Sequence, residues 1–301
     1  MKLRQLRYFV TVAEELHFGR AADRLAISQS PLSQQIIALE RELGVQLFVR
    51  TRRSVALTAV GAQWLTQVRR VLADAEELPA TARRLSRGEI GSLSLAFVST
   101  ADYGILPDLL RTYRTTHPQV QVQLREATSD VQIEALLDQE IDAGLVIPPR
   151  GGKFPASLAY TPLVSERLIL ALPKSWAADG SVPRRSEKLA LRTLADAPLI
   201  IFPRRSAPAL YDMIIDCYAA QGAMPRITQE AIQMQTIVSL VSAGLGVALV
   251  PESIRNLRRT GVDYRELTNP VPQVETGLLW RRQGTSSALK GFVKAARELK
   301  H

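Results

Sequence analysis

The feature that most restricts the fold of this chain is the spacing of apolar residues over its first 58 positions. Two short stretches with apolar residues at helical spacing predict two helices before a bend at Ile27 and Ser28. A third helix follows at once. Ser28 is a good N-cap, Pro31 falls in the first turn, where its missing N–H is harmless, and Gly44 ends the helix. The alternating segments VQLFVR and SVAL then predict two short strands. This part of the sequence therefore predicts a helix-turn-helix with a wing.

The start of the third helix carries polar side chains that point outward when Leu32, Ile36 and Leu39 face the core. In helix-turn-helix proteins the corresponding residues enter the major groove, where glutamine pairs with adenine and serine with several bases. For the helix alone, an ordinary solvated face is the alternative interpretation. The candidate base-reading residues are Gln29, Ser30, Pro31, Ser33 and Gln34.

The tip of the wing is basic, with Arg50, Arg52 and Arg53 close together. A guanidinium binds phosphate bidentately, and an inserted arginine senses the width of the minor groove, so contacts to the DNA backbone are expected. A solvated loop is again the alternative. The whole chain has a net charge of +9, and its first 58 residues hold nine basic against five acidic side chains. This balance favours an acidic partner, either nucleic acid or an anionic small molecule.

A long helix follows Thr58, its predicted N-cap, and carries a narrow apolar stripe. The steps along the stripe alternate between four and three residues, which is typical of a coiled-coil seam and predicts dimerisation. The alternative is a helix packed on its own domain. Pro79 removes one helical hydrogen bond and predicts a bend. The stripe consists of Trp64, Val68, Val71, Ala75, Leu78, Ala82 and Leu85.

The remaining sequence, after the helix-breaking glycines Gly88 and Gly91, alternates strand and helix patterns twice. This predicts an α/β fold of two lobes with a cleft between them, and a C-terminal helix that returns to the first lobe. The predicted organisation is a winged helix-turn-helix domain over 1–58, a linker helix over 59–88, and a two-lobed α/β domain over 89–301 with lobe I at about 91–161 and 266–301 and lobe II at about 162–265.

Hydroxyl residues follow two predicted strands of the first lobe and open the helices that come next. Exposed helix N–H groups beside such hydroxyls suit a carboxylate, although the same residues also serve as plain N-caps. Ligands of open α/β sheets bind at the carboxyl ends of strands, which adds residues of the second lobe. The candidate effector-binding residues are Ser99, Thr100, Thr128, Phe202, Pro203 and Gln229.

Enzyme and membrane classes find no support in the sequence. His17, His117 and His301 have no second ligand at metal spacing, and no phosphate-loop, dinucleotide or nucleophile-elbow motif is complete, so neither a metal nor a cofactor is expected. The single cysteine, Cys217, is expected in the core of a helix and fits a reducing compartment such as the cytosol. The longest apolar run, Ile237 to Val250, has 14 residues and is too short to span a membrane.

The segment LRYFVTVAEELHFGRAADRLAISQSPLSQQIIALERELGVQLFVRTRRSVALTAVG resembles the winged helix-turn-helix of LysR-type transcriptional regulators. The resemblance is close over residues 1 to about 65 and extends, through the order of parts, to the whole chain. It implies a dimerising linker helix, an effector domain like that of periplasmic solute-binding proteins, and a homotetramer on double-stranded promoter DNA that acts on RNA polymerase. Three segments (VST from Val98, EATSD from Glu126, LIIFPRR from Leu199) are similar to inducer pockets of members that control aromatic-acid breakdown.

These observations predict a cytoplasmic regulator of LysR type, by resemblance an activator, whose promoter binding responds to a small organic anion such as an aromatic or other carboxylate in the interlobe cleft. The ligand would act by changing the arrangement of protomers and hence the spacing or bending of the bound DNA. The alternative is a small-molecule binding protein whose basic N-terminal region serves only dimerisation.

Overall fold

The computed structural model describes residues 1–51, 54–178, 182, 188–268 and 270–299. The chain divides into two compact units, Met1–Arg83 and Arg84–His301. Two of the predicted wing residues, Arg52 and Arg53, lie outside the described residues. Within the described part of the chain, no helix is long and apolar enough to cross a membrane.

The first unit is a winged helix-turn-helix, as the sequence predicts. The two strands of the wing pair antiparallel, with Phe48 opposite Leu57. Leu32, Ile36 and Leu39 are fully buried in a core shared with the first two helices. The elements are α1 (Leu3–Glu15), α2 (Phe18–Arg24), α3 (Gln29–Leu43), β1 (Phe48–Arg50), β2 (Val55–Leu57) and the long α4 (Ala59–Arg87).

The ends of these helices follow from local chemistry. Ser28 is the N-cap residue of α3, and Gly44 ends that helix with a left-handed φ of 72° that glycine adopts without strain. Thr58 accepts a hydrogen bond from the Gly61 N–H at 2.9 Å, which confirms its predicted role as a cap. The N-cap of α2 is His17, whose Nδ1 accepts from the Gly19 and Arg20 N–H groups. A histidine cap was not expected from the sequence.

Helix α4 runs without interruption through Pro79. Its beginning packs on its own unit: Val68 is 2% exposed, and the Trp64 ring lies 4.8 Å from that of Phe9. Within the chain these two side chains thus complete the core of the helix-turn-helix, and a dimer seam that includes Trp64 and Val68 stays a prediction. Further along, Val71 is 48% and Leu78 64% exposed, so the free apolar stripe begins at Val71.

The second unit has the predicted two-lobed α/β architecture. In the first lobe, β4, β3 and β5 are parallel, and β12 runs antiparallel to β5 and to the first half of β6. Helices α5 and α10 pack together on this sheet, where the Tyr113 hydroxyl donates to the Ala288 carbonyl. The elements are β3 (Ile90–Phe97), α5 (Ile105–Thr116), β4 (Gln119–Glu126), α6 (Ser129–Leu137), β5 (Ala143–Val146), β12 (Gln273–Arg281) and α10 (Ser287–Glu298).

The second lobe is built on the far half of β6, a strand of 16 residues that belongs to both lobes. Strands β10 and β11 pair antiparallel with it, whereas β8 and β9 form a separate parallel pair. Its apolar core includes Cys217, as expected. The elements are β6 (Leu158–Pro173), α7 (Lys174–Ala178), β7 (Lys188–Leu189), β8 (Pro198–Ile201), α8 (Pro208–Ala219), β9 (Arg226–Glu230), α9 (Met234–Ser242), β10 (Ala248–Pro251) and β11 (Val262–Leu267).

Candidate nucleic-acid interface and effector cavity

The N-terminal turn of α3 presents a polar surface. Gln29, Ser30, Pro31 and Gln34 are exposed and Ser33 is half-buried, while the apolar side of the same helix is buried. The burial of that side fixes the orientation of the helix, so Ser30, Pro31 and Gln34 lie on its outer face, whereas Gln29 and Ser33 flank the buried stripe. An exposed N-terminal turn with short polar side chains is the geometry with which a helix-turn-helix meets base edges.

A single carboxylate joins α3 to the wing. Glu40 accepts hydrogen bonds from the Leu47 and Phe48 N–H groups at 2.9 and 3.1 Å through one oxygen, and from Arg50 at 2.7 Å through the other. The Arg50 guanidinium also lies 5.0 Å from the centre of the Phe18 ring. Arg50 is thus engaged inside the unit, an arrangement that its place at the basic wing tip did not indicate.

A cavity of about 210 Å³ opens in the second unit, where the strands of both lobes end. Residues that follow β3, β4 and β5 line one side, and residues that follow β8 and β9 line the other. In parallel sheets this edge carries the ligand, because the loops there diverge and leave a crevice. Most of the wall is apolar, contributed mainly by Val98, Ile133, Ile147, Phe202, Leu210 and Ile232.

Four of the six predicted effector residues line this cavity: Ser99, Thr100, Thr128 and Phe202. Thr100 is only 4% exposed, and its hydroxyl has no hydrogen-bond partner within the described ranges of the chain. Thr128 is the N-cap residue of α6, yet its side chain makes no capping hydrogen bond. Ser99 reaches across to the second lobe, where its hydroxyl accepts from the Met234 N–H at 3.3 Å. The plain-cap interpretation therefore describes neither threonine.

The other two predicted residues do not line the cavity. Pro203 is buried in a turn, and its carbonyl accepts from the Ser206 and Ala207 N–H groups, so it shapes the segment that leads into α8. Gln229 lies within β9 with an exposed side chain that donates to the Glu230 carbonyl. The residue that lines the wall from this region is Gln233, the N-cap residue of α9. The sequence pattern missed it because the end of β9 was not delimited.

Three helices begin at the cavity wall: α6 at Ser129, α8 at Pro208 and α9 at Met234. The first N–H groups of a helix have no partner within the helix, and the N-cap side chains of these three make no capping hydrogen bonds. Together with the helix dipoles, such N–H groups form a receptacle for negative charge.

The ionisable side chains in the wall are acidic. Glu126 and Asp130 line the cavity, and none of the lining residues, all within the described ranges, is a lysine or an arginine. Burial, followed by the charge of Asp102, raises the pKa of the Glu126 carboxyl above its usual value. Nearby arginines are engaged elsewhere, since Arg204 pairs with Asp212 at 2.8 Å.

One buried amide holds the wall in place. Gln132 is fully buried, and its Nε2 donates to the Ala127 carbonyl at 2.7 Å and to the Leu145 carbonyl at 3.1 Å. These bonds tie the loop after β4 to β5, two segments that border the cavity. The backbone of Gly144 allows this approach, because a Cβ there would lie 2.3 Å from the Gln132 Oε1. Sequence analysis did not single out Gln132.

Comparison with known proteins identifies this combination of parts. A family model described as LysR substrate binding domain matches residues 86–300, and the model described as bacterial regulatory helix-turn-helix protein, lysR family, matches residues 3–62. The transcriptional regulator IlvR of Caulobacter vibrioides is 54% identical over 298 residues, covering 99% of this chain and 98% of that protein. This chain belongs to the LysR family.

Further relatives agree with this assignment. The regulator AlsR of Bacillus subtilis is 39% identical over 97% of this chain and 94% of its own length. The crystal structure of full-length CbnR complexed with its target DNA covers 100% of both chains with a TM-score of 0.74 and 31% identity. The LysR-type regulator described here is therefore a DNA-binding transcriptional regulator with a substrate-binding domain. It is not an enzyme, and the alternative in which the basic N-terminal region serves only dimerisation is ruled out.

Proposed function

We propose that this regulator is a cytoplasmic activator that binds promoter DNA as a homodimer paired into a homotetramer and acts on RNA polymerase when a small organic carboxylate occupies the cavity. Residues 1–58 bind DNA, residues 59–88 hold the dimer together, and residues 89–301 bind the effector. The observation that carries the effector part is the cavity itself, where helix N-termini and the unpartnered hydroxyl of Thr100 meet.

On the DNA side, Gln29, Ser30, Pro31, Ser33 and Gln34 contact base edges, and Arg52 and Arg53 contact phosphates. The exposed N-terminal turn of α3 supports the first assignment, and the charge of the wing sequence supports the second. Arg50 already pairs with Glu40, so its share of the phosphate contacts is expected to be smaller.

On the effector side, Thr100 and Thr128 hold the acidic group together with the first N–H groups of α6, and Phe202 packs against the apolar body. Ser99 contributes through its bond to the Met234 N–H, which fixes the start of α9 at the wall. Pro203 and Gln229 lie outside the wall and are no longer part of the proposed binding set.

DNA readout is tested by selecting binding sites from random duplexes with the purified protein. Gln29→Ala is expected to relax base preference at one position per half-site, whereas the same substitution at the exposed Gln46, away from the start of α3, leaves the preference unchanged. Arg52→Ala with Arg53→Ala is expected to weaken binding to all duplexes and to flatten the salt dependence by about one phosphate contact per charge removed. An unaltered preference with Gln29→Ala contradicts the proposed reading helix.

Effector control is tested by footprinting the selected site with and without candidate carboxylates. A carboxylate that binds the protein is expected to change the footprint, and Thr100→Val is expected to abolish the change without altering the footprint of the free protein. Valine keeps the size of the side chain and removes only the hydroxyl, which has no hydrogen-bond partner among the residues that the structure describes. A footprint change that survives Thr100→Val places the effector elsewhere.

A further inference from the structure

The acidic side of the cavity has no role in holding a carboxylate. Glu126 and Asp130 belong to the wall, yet a ligand with only negative charge would be repelled by both. The Glu126 carboxylate accepts a long hydrogen bond, 3.5 Å, from the Gln233 side-chain amide. Glu126 also experiences the charge of Asp102. The wall thus contains two carboxylates and, among the residues that line it, no basic side chain.

The same cavity also contains groups that favour a negatively charged part of the ligand. The hydroxyl of Thr100 is buried and unpartnered, and a buried polar group in this condition costs free energy until a ligand supplies a partner. With the first N–H groups of α6 and those that follow Pro208 in α8, this hydroxyl forms a region that accepts an anionic group, whereas the Met234 N–H at the start of α9 is already bonded to Ser99. The remaining surface is apolar, contributed largely by Ile133, Ile147 and Phe202.

We infer that the ligand of this cavity is an amino acid with an apolar side chain rather than a simple carboxylic acid. Its carboxylate occupies the region of the helix N-termini and Thr100, its ammonium group lies beside Glu126 and Asp130, and its side chain packs on the apolar wall. A zwitterion satisfies both kinds of charge in the wall, whereas a simple acid satisfies one and opposes the other. This inference rests on the proposed effector cavity and adds the chemical class of the ligand.

The test compares two sets of three matched ligands by calorimetry with the full-length protein. Phenylalanine and leucine are measured against hydrocinnamate and isocaproate, which lack the amino group, and against phenethylamine and isoamylamine, which lack the carboxylate. At least one amino acid is expected to bind about tenfold or more tightly than both of its partners. Equal or tighter binding of the simple acid, or binding of none of the six compounds, overturns the inference.

A second test uses the Glu126→Gln variant, because this substitution removes the charge and keeps the shape of an exposed side chain. It is expected to weaken amino acid binding about tenfold and to leave the simple acid unchanged or improved. Glu134→Gln is the matched control, since Glu134 is exposed on α6 and does not line the cavity. Amino acid affinity that is unaltered by Glu126→Gln overturns the proposed ammonium contact.

Footprinting on the selected DNA separates the two proposals. If hydrocinnamate or isocaproate binds, changes the footprint and loses this effect with Thr100→Val, the effector cavity stands and the amino acid inference falls. If amino acids bind as expected without any change of the footprint, the ligand class stands and the proposed effector control falls.

Discussion

Cys217 shows how burial decides the chemistry of one side chain. The residue is 7% exposed within α8, and burial, with a smaller effect of Asp216, raises the pKa of its thiol to about 11. At pH 8 roughly one thiol in a thousand is then ionised, and only the thiolate attacks a disulfide. An oxidation sensor needs the reverse, an exposed thiol with a lowered pKa.

A chromogenic disulfide reagent at pH 8 is therefore expected to label the folded protein slowly and the protein in concentrated urea at once. Because the sequence has one cysteine, the measured rate belongs to Cys217 alone. Addition of a ligand that binds the cavity is expected to slow labelling further, since binding to the folded state disfavours opening of α8. Stoichiometric labelling of the folded protein within the mixing time would contradict the buried, un-ionised thiol.

Gln132 is the second residue whose role comes from its surroundings. Gln132→Met keeps the length of the side chain but removes the donor to the Ala127 and Leu145 carbonyls. The expected loss is about 1–3 kcal/mol in the free energy of unfolding, because a partly buried carbonyl loses its partner. Urea denaturation measures this loss, with the exposed Gln123→Met as the control. Equal midpoints for the two variants would mean that water replaces the lost donor.

Residues of this kind were beyond sequence analysis for a physical reason. A glutamine in the first turn of α6 has the same local sequence whether it faces water or two carbonyls, and only the approach of Gly144 decides between them. The hydroxyls at Ser99, Thr100 and Thr128 were predictable because they follow strands and precede helices, a local pattern with a known place at the sheet edge. Gln229 failed the same argument because it lies inside β9 rather than beyond its end.

At the level of elements, α4 combines two functions that one periodicity cannot separate. Trp64 and Val68 continue the apolar stripe but pack on α1, whereas Val71 and Leu78 remain exposed within the chain. A heptad pattern reports which residues share a helix face and not what covers that face. The helices of the first unit were otherwise predictable, because their caps and stripes are local signals.

The exposed stripe of α4 predicts the effect of charge on assembly. Val71→Asp with Leu78→Asp is expected to dissociate the dimer, because two like charges per helix would be buried against the partner at a cost of several kcal/mol. The matched control is Ala73→Asp with Ala80→Asp, which adds the same charges at the same spacing on exposed positions of another face.

Sedimentation velocity measures the oligomer, and a gel-shift titration measures DNA binding. Loss of the dimer is expected to lower operator affinity as well, because two half-sites require two linked readers. A dimer that survives the Val71 and Leu78 substitutions, or is lost equally in the control, contradicts an interface along this stripe.

At the scale of the whole molecule, ligand binding is linked to the relative arrangement of the two lobes of the second unit. The cavity wall comes from both lobes, Ser99 bonds across to the start of α9, and Arg150 after β5 pairs with Asp216 of α8 at 2.7 Å. A ligand that contacts both walls favours the arrangement in which they are close. Strand β6 is shared by the lobes, and its 16 residues carry two different burial patterns.

Regulation by a ligand further requires that the cavity and the DNA influence each other's affinity by the same factor. Such coupling is usually about 1–3 kcal/mol, which corresponds to roughly five- to 150-fold. The compound that binds most tightly in the calorimetric series is therefore expected to change its affinity by this factor when the selected DNA is present, and DNA affinity is expected to change equally when the compound is present.

Thr128→Val should weaken binding of this compound by roughly ten- to a hundredfold, because a buried carboxylate loses a donor, while DNA affinity without the compound stays the same. Calorimetry and gel shifts on the same samples measure all four affinities. A factor close to one in both titrations would exclude control of DNA binding through the cavity, and a Thr128→Val variant that binds both partners normally would exclude Thr128 from the site.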